Sequence, residues 1–148
     1  MYHSLLKNYG SRNLFSYDFL IACAAFLFIA FRFVPAYSQQ EKKFIKDGNK
    51  DYKEGKYEEA EKKYQKALDK NTESFHGKFN KADALYRQSK FEEAAQSFGS
   101  IASTESNKEF KAKAYHNQGN SFLQSKKLNE SVDAYKNSLR NNPTDEDT

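Results

Sequence analysis

The side chains best equipped for chemistry in this 148-residue chain are few and scattered: one cysteine, Cys23, and three histidines, His3, His76 and His116. Cys23 lies inside an apolar run, and the string Leu20-Ile21-Ala22-Cys23 has the composition of a lipoprotein box. In such a box the apolar core precedes the cysteine, whereas here it follows, which argues against acylation. His76 and His116 could meet if the segments that carry them lie side by side, but two imidazoles alone fall short of the three or four ligands of a zinc site. The paired carboxylates Glu58-Glu59 and Glu92-Glu93 open two apolar-periodic segments, where negative charge complements a helix dipole. They read as helix starters rather than an acid-base couple, so no catalytic, cofactor or metal site is expected. What remains is a chemistry of recognition, carried by asparagines, lysines and aromatic rings that recur along the chain.

The first thirty-eight residues differ in kind from the rest. From Phe19 to Phe31 runs FLIACAAFLFIAF, without a charge, with Lys7 and Arg12 before it and Arg32 and Pro35 after it. A membrane span needs about 20 apolar residues, so this length fits a signal-peptide core, with Ala36-Tyr37-Ser38 as the small-residue cleavage signal before Gln39. An uncleaved anchor stands beside it as the other reading, because FVPAY can extend a tilted span past Arg32. A basic N-terminus held inside then places residues 39–148 in the periplasm or on the periplasmic face of the inner membrane.

Of the 24 basic and 20 acidic residues, Lys7, Arg12, Arg32 and Asp18 precede Gln39, which leaves the remainder close to neutral. The basic composition is therefore no sign of nucleic-acid binding. No cysteine follows Gln39, so no disulfide can hold this part together, and its stability must come from buried helix faces.

Those faces repeat. GNKDYKEGKYEEAEKKYQKAL from Gly48, ADALYRQSKFEEAAQSFGSIA from Ala82 and GNSFLQSKKLNESVDAYKNSL from Gly119 align with one another. Ala60, Ala94 and Ser131 recur at spacings of 34 and 37 residues, with Tyr64, Phe98 and Tyr135 in the same phase. Apolar residues three and four apart, as in Tyr57, Ala60, Tyr64, Ala67 and Leu68, predict amphipathic helices. Small residues mark where two helices approach closely: Gly48, Ala82 and Gly119 on one helix of each pair, Ala60, Ala94 and Ser131 on the other. Turn and cap residues place the helices near 41–54, 57–70, 75–88, 91–103, 107–124 and 128–140, with tight turns at Gly55 and Ser89. A capping box of Ser106 and Glu109 is expected to start the fifth, lengthened by about one turn.

On this period and these small and large positions, the chain resembles the tetratricopeptide repeat family over residues 41–145, with departures at Ile101 and Ser138, where alanine is usual. The resemblance implies an all-α fold, a right-handed superhelix of three helix-turn-helix repeats at about 41–74, 75–108 and 112–145, behind the signal or membrane segment of residues 1–38. With the strings YHNQGNSFLQ and SLRNNPTDEDT, the chain is similar more narrowly to the repeat proteins of bacterial aerotolerance (Bat) operons.

In such a superhelix the first helix of each pair lines the concave wall. Groove positions are then Lys42, Ile45, Lys46, Asn49, Tyr52 and Lys53 in repeat one. Repeat two contributes His76, Phe79, Asn80, Asp83, Tyr86 and Arg87, and repeat three Lys113, His116, Asn117, Asn120, Leu123 and Gln124. Asn49, Asn80, Asn117 and Asn120 would face one another, able to pair with the backbone of an extended peptide, while lysines attract carboxylates and rings hold apolar side chains. Asn49, Asn80 and Lys113 fall on three of the five positions of the family's carboxylate clamp. Ile45 and Asn117 stand where the clamp has cations, which should weaken capture of a terminal carboxylate.

After Leu139 only RNNPTDEDT remains. Leu128, Val132, Tyr135 and Leu139 on the last helix are therefore expected to be partly uncovered, as a surface for a partner or a second copy. Taken together, the residues predict a binding scaffold rather than an enzyme. The aerotolerance resemblance implies membrane partners with von Willebrand factor A-type domains, and the partial clamp keeps a peptide-binding cochaperone as the alternative.

Overall fold

The computed structural model describes residues 39–142. The expected signal or anchor segment lies outside the described residues. Six helices and no strand make up the described part: α1 over residues 39–53, α2 (Tyr57–Leu68), α3 (Phe75–Arg87), α4 (Phe91–Thr104), α5 (Lys108–Gln124) and α6 (Leu128–Asn141). Every boundary falls within two residues of the expectation, and α5, at 17 residues against 13 for α3, carries the extra turn. Among the described residues no helix is long and apolar enough to cross a membrane.

The turn inside each helix pair is built the same way three times. Gly55, Ser89 and Lys126 adopt left-handed backbone, at φ 77°, 61° and 62°. The next residue's N–H reaches back five positions, Lys56 to Asp51 O, Lys90 to Leu85 O and Lys127 to Phe122 O, and so satisfies carbonyls the ending helix leaves open. Only the first turn has the glycine that such a φ favours. Left-handed backbone costs a side-chain-bearing residue roughly 1–2 kcal/mol, and glycine's greater freedom in the unfolded chain offsets part of that. Ser89→Gly and Lys126→Gly are each expected to stabilise the domain by about 0.5–1 kcal/mol. Thermal melts should show this as a rise of roughly 3–6 °C in Tm, and an unchanged or lower Tm would contradict it.

The caps between pairs use side chains instead. Ser74 Oγ accepts from Gly77 N at 3.1 Å to start α3. Asn107 Oδ1 accepts from Phe110 N at 3.1 Å to start α5. This corrects the capping box: Ser106 lies one residue too early, and Glu109 turns outward to Lys113 instead of back to the cap. An Asn one position later offers the same oxygen at the Ncap geometry that the helix uses.

Packing follows the small and large positions. Ala82, Leu85, Ala94, Phe98, Ile101, Ala102 and Ala114 form one buried cluster, and Ala60, Tyr64 and Ala84 a second. A Cβ at Gly48 would sit 2.7 Å from Tyr64 Cε1, and one at Gly119 2.6 Å from Tyr135 Cε1, so each ring takes the space that a side chain at the glycine would need. Both serines that replace alanine in repeat three find backbone acceptors on α5: Ser131 Oγ donates to Gly119 O at 2.9 Å and Ser138 Oγ to Ala112 O at 2.8 Å. The departure at Ser138 is thus a hydrogen bond between α6 and α5. Close backbone packing joins helices adjacent in sequence, from α2 through α6.

Candidate functional site

Clefts open between alternate helices, along the side where α1, α3 and α5 carry the expected groove residues. Between α1 and α3 a cleft of about 190 Å³ is lined by Asn49, Tyr52, Lys53, Tyr64, Asn80 and Asp83. Between α3 and α5 a smaller one, about 50 Å³, is lined by Asp83, Tyr86, Phe98, Asn117 and Asn120. At the far end of α5 a wider cleft of about 420 Å³ is bounded by Phe79, Glu109, Ala112, Lys113, His116, Asn117, Ser138 and Asn142. Asp83 belongs to the first two and Asn117 to the last two, so the three read as one interrupted groove.

The asparagines do not all face outward as free amides. Asn49 Oδ1 accepts from Tyr64 OH at 2.8 Å and from Asn80 Nδ2 at 3.1 Å. Asn120 Oδ1 accepts from Tyr135 OH at 2.6 Å. Asn49 and Asn120 thus commit their carbonyl oxygens to the groove wall and keep their NH2 groups for a ligand, whereas Asn80 spends an N–H of its own on Asn49. Asn117 lines two clefts, and its backbone oxygen accepts from Ser121 Oγ.

Two groove residues, Tyr52 and Arg87, are instead bound with Tyr57 into a clasp between repeats one and two. The Arg87 guanidinium lies 4.9 Å from the Tyr57 ring centre and 5.7 Å from that of Tyr52, and it donates to the Tyr57 hydroxyl. The two tyrosine rings meet edge to face at 5.2 Å. Burial, followed by hydrogen bonding to Asp83, pushes the Tyr52 hydroxyl well above the ordinary phenol range. Tyr64 is likewise pushed up to about 12, by burial and then by Asp83 and Asp51. Both stay protonated donors at any physiological pH. Tyr57 and Tyr64, read from sequence only as packing residues, thus shape the site.

Lys42 and Lys46 are exposed on α1 and line none of these clefts. Lys113 pairs with Glu109 at 2.5 Å, with both side chains more than half exposed. Such a surface pair holds a lysine weakly, at about 0.3–0.5 kcal/mol, so its charge stays available to a ligand. His76 lies edge-on to Phe110 at 6.1 Å, whereas His116 sits against Tyr135 at 5.5 Å. Among the described residues no three His, Cys, Asp or Glu side chains are grouped to hold a metal ion.

At the C-terminal end Leu128, Val132 and Leu139 are 61%, 51% and 39% exposed, joined by Leu123 on α5. Tyr135, placed with them from sequence as partly uncovered, is half-buried and has a second role. Its ring fills the space over Gly119 and its hydroxyl is tied to Asn120, so it is a strut between α5 and α6.

The sequence pattern of the tetratricopeptide repeat matches residues 47–108. The sequence matches no curated protein. Among solved structures, the chain is similar to the first such domain of Spaghetti (RPAP3), bound there to the HSP90 peptide SRMEEVD. Identity is 31%, with 72% of this chain and 82% of that one covered and a TM-score of 0.63. It is also similar to the first domain of human RPAP3, at 28% identity over 70% of this chain and 80% of that one, TM-score 0.63. The N-terminal domain of stress-induced protein-1 from C. elegans follows at 25% identity, covering 72% and 87%, TM-score 0.65. On its repeat period, its helix pairs and these likenesses, the chain belongs to the tetratricopeptide repeat family.

Proposed function

We propose that residues 39–142 form a protein-interaction module whose groove along α1, α3 and α5 takes an extended peptide segment of a partner. The observation that carries this reading is the continuity of the clefts through Asp83 and Asn117, lined by amides and rings with a few charged side chains between them. Amide donors suit a peptide backbone, and rings suit its side chains. The Spaghetti relative, bound to an HSP90 peptide, supports a peptide as the ligand class. Of the clamp positions, Asn49, Asn80 and Lys113 are in place, while Ile45 and Asn117 bring no cation.

A random peptide library screened on the full-length chain tests this. Selected peptides should bind the paired variant Asn80→Ala, Lys113→Ala at least tenfold more weakly in fluorescence anisotropy. Asn49 is the wrong residue to remove, because Tyr64 depends on it. Peptides indifferent to the paired variant would overturn the groove as the site.

The apolar segment Phe19–Phe31 favours a second element of the reading. We propose that it directs or tethers the module to the periplasmic face of the inner membrane, where it gathers membrane partners, von Willebrand factor A-type proteins of an aerotolerance system among them. Fractionation of cells producing the full chain, followed by protease treatment of spheroplasts, tests the placement. Protection of the repeats from added protease would exclude the periplasmic face.

A further inference from the structure

The three repeats are not equivalent in the groove. Asn49, Asp83 and Asn120 each follow the small residue of their first helix, and each is matched in phase by an aromatic residue of the following one, Tyr64, Phe98 and Tyr135, with Asp83 and Phe98 lining one cleft. In repeats one and three the tyrosine hydroxyl donates to the asparagine carbonyl. In repeat two the ring is Phe98, which has no hydroxyl, and the partner position is a carboxylate. Asp83 thus lacks the donor from the following helix that its counterparts have, takes Tyr52 of α1 instead, and lines the clefts on both sides of α3. Tyr52 offers it a hydrogen bond, Arg87 one turn along α3 attracts it through space and Lys53 lines the same cleft, but among the described residues no lysine or arginine stands within ion-pair distance of it. A carboxylate accepts at about four lone-pair positions, so one hydroxyl leaves it with capacity for a charged donor.

This placement bears on the ligand. A terminal carboxylate brought to Asn49 and Asn80 would enter the cleft that Asp83 and Lys53 both line, and on the Asp83 side it would meet a like charge in a partly recessed site where screening is weak. A basic side chain there would gain a charge-assisted hydrogen bond from its N–H to the carboxylate, with Tyr86 lining the cleft beside it. Building on the peptide-groove reading above, we infer that Asp83 makes the centre of the groove a subsite for a lysine or arginine side chain. The ligand is then an internal segment of a partner with a basic residue at its middle, rather than a chain terminus.

The test uses the full-length chain and two libraries of random peptides, one amidated and one with free C-termini. Wild type should enrich amidated peptides with lysine or arginine at one fixed position. Changing that residue to glutamine should weaken binding to wild type at least tenfold, and binding to Asp83→Asn by less than twofold. The double variant Asp83→Asn, Phe98→Tyr rebuilds the tyrosine-asparagine pair of the other repeats and guards against a folding defect; it should show the same indifference. Enrichment of free C-termini, or an unchanged preference on Asp83→Asn, would overturn the inference even where the paired variant Asn80→Ala, Lys113→Ala still abolishes binding. Peptides that ignore that paired variant would instead overturn the groove reading beneath it.

Discussion

Phe98→Ala is expected to destabilise the domain by about 3–5 kcal/mol, the range for truncating a buried phenylalanine. The ring is 1% exposed and is enclosed by Ala82, Leu85, Ala94, Ile101, Ala102 and Ala114, with Phe79 edge-on at 5.2 Å. Those neighbours are mostly alanines, whose methyl groups cannot swing in to fill the space, so the cavity should remain open. Domains of this size hold only about 5–15 kcal/mol in total. Phe98 also sits in the middle repeat, which both others pack against, and in a stack of this kind stability passes from neighbour to neighbour. Urea titration followed by circular dichroism should show a much lower midpoint, with the loss spread over all helices. A loss below about 1 kcal/mol would mean that the ring is not the centre of the core.

Gly119→Ala is expected to cost about 2 kcal/mol, although alanine is the better helix former by about 1 kcal/mol. The new methyl would stand 2.6 Å from Cε1 and 2.7 Å from Cδ1 of Tyr135. A ring pinned over the helix cannot yield without moving as a body, and overpacking of this kind costs roughly 1–3 kcal/mol. If the ring moves, its hydroxyl leaves Asn120, at about 1 kcal/mol more. Gly99→Ala is the internal comparison. It lies within α4, and the added methyl meets only the Gln118 amide at the end of a flexible side chain. There the helical preference should win, for a gain of about 0.5–1 kcal/mol. Parallel thermal melts decide it: Tm should fall for Gly119→Ala and rise for Gly99→Ala, and two changes of the same sign would refute the steric account.

The helices were legible because their signals are local and reinforce one another. A period of small and large residues, a turn glycine at Gly55 and its substitutes give boundaries within two residues. Ser106 against Asn107 shows the limit, since two adjacent polar residues compete for one cap and only backbone geometry chooses between them. The groove was legible as a set of positions but not as a set of free groups. Asn49 and Asn120 each answer to a tyrosine fifteen residues away, and Arg87 to rings from two other helices. The sequence does contain the clue to the first of these, in the exchange of Tyr with Asn for Phe with Asp between repeats. Tyr135 is half-buried as the apolar stripe implies, but its tie to Asn120 is not legible in periodicity, which locates a ring and not the partner of its hydroxyl.

Packing strongest between sequence neighbours has a mechanical consequence. In a fold whose first and last segments pair with each other, a pull at either end loads the whole molecule at once. Here α6 packs on α5, and the apolar surface it shares with no other described helix leaves Leu128 and Val132 in solvent. Tension applied beyond Asn141 would therefore peel helices away singly, each release a small, separate step, and the chain would yield as a tear-strip rather than snap.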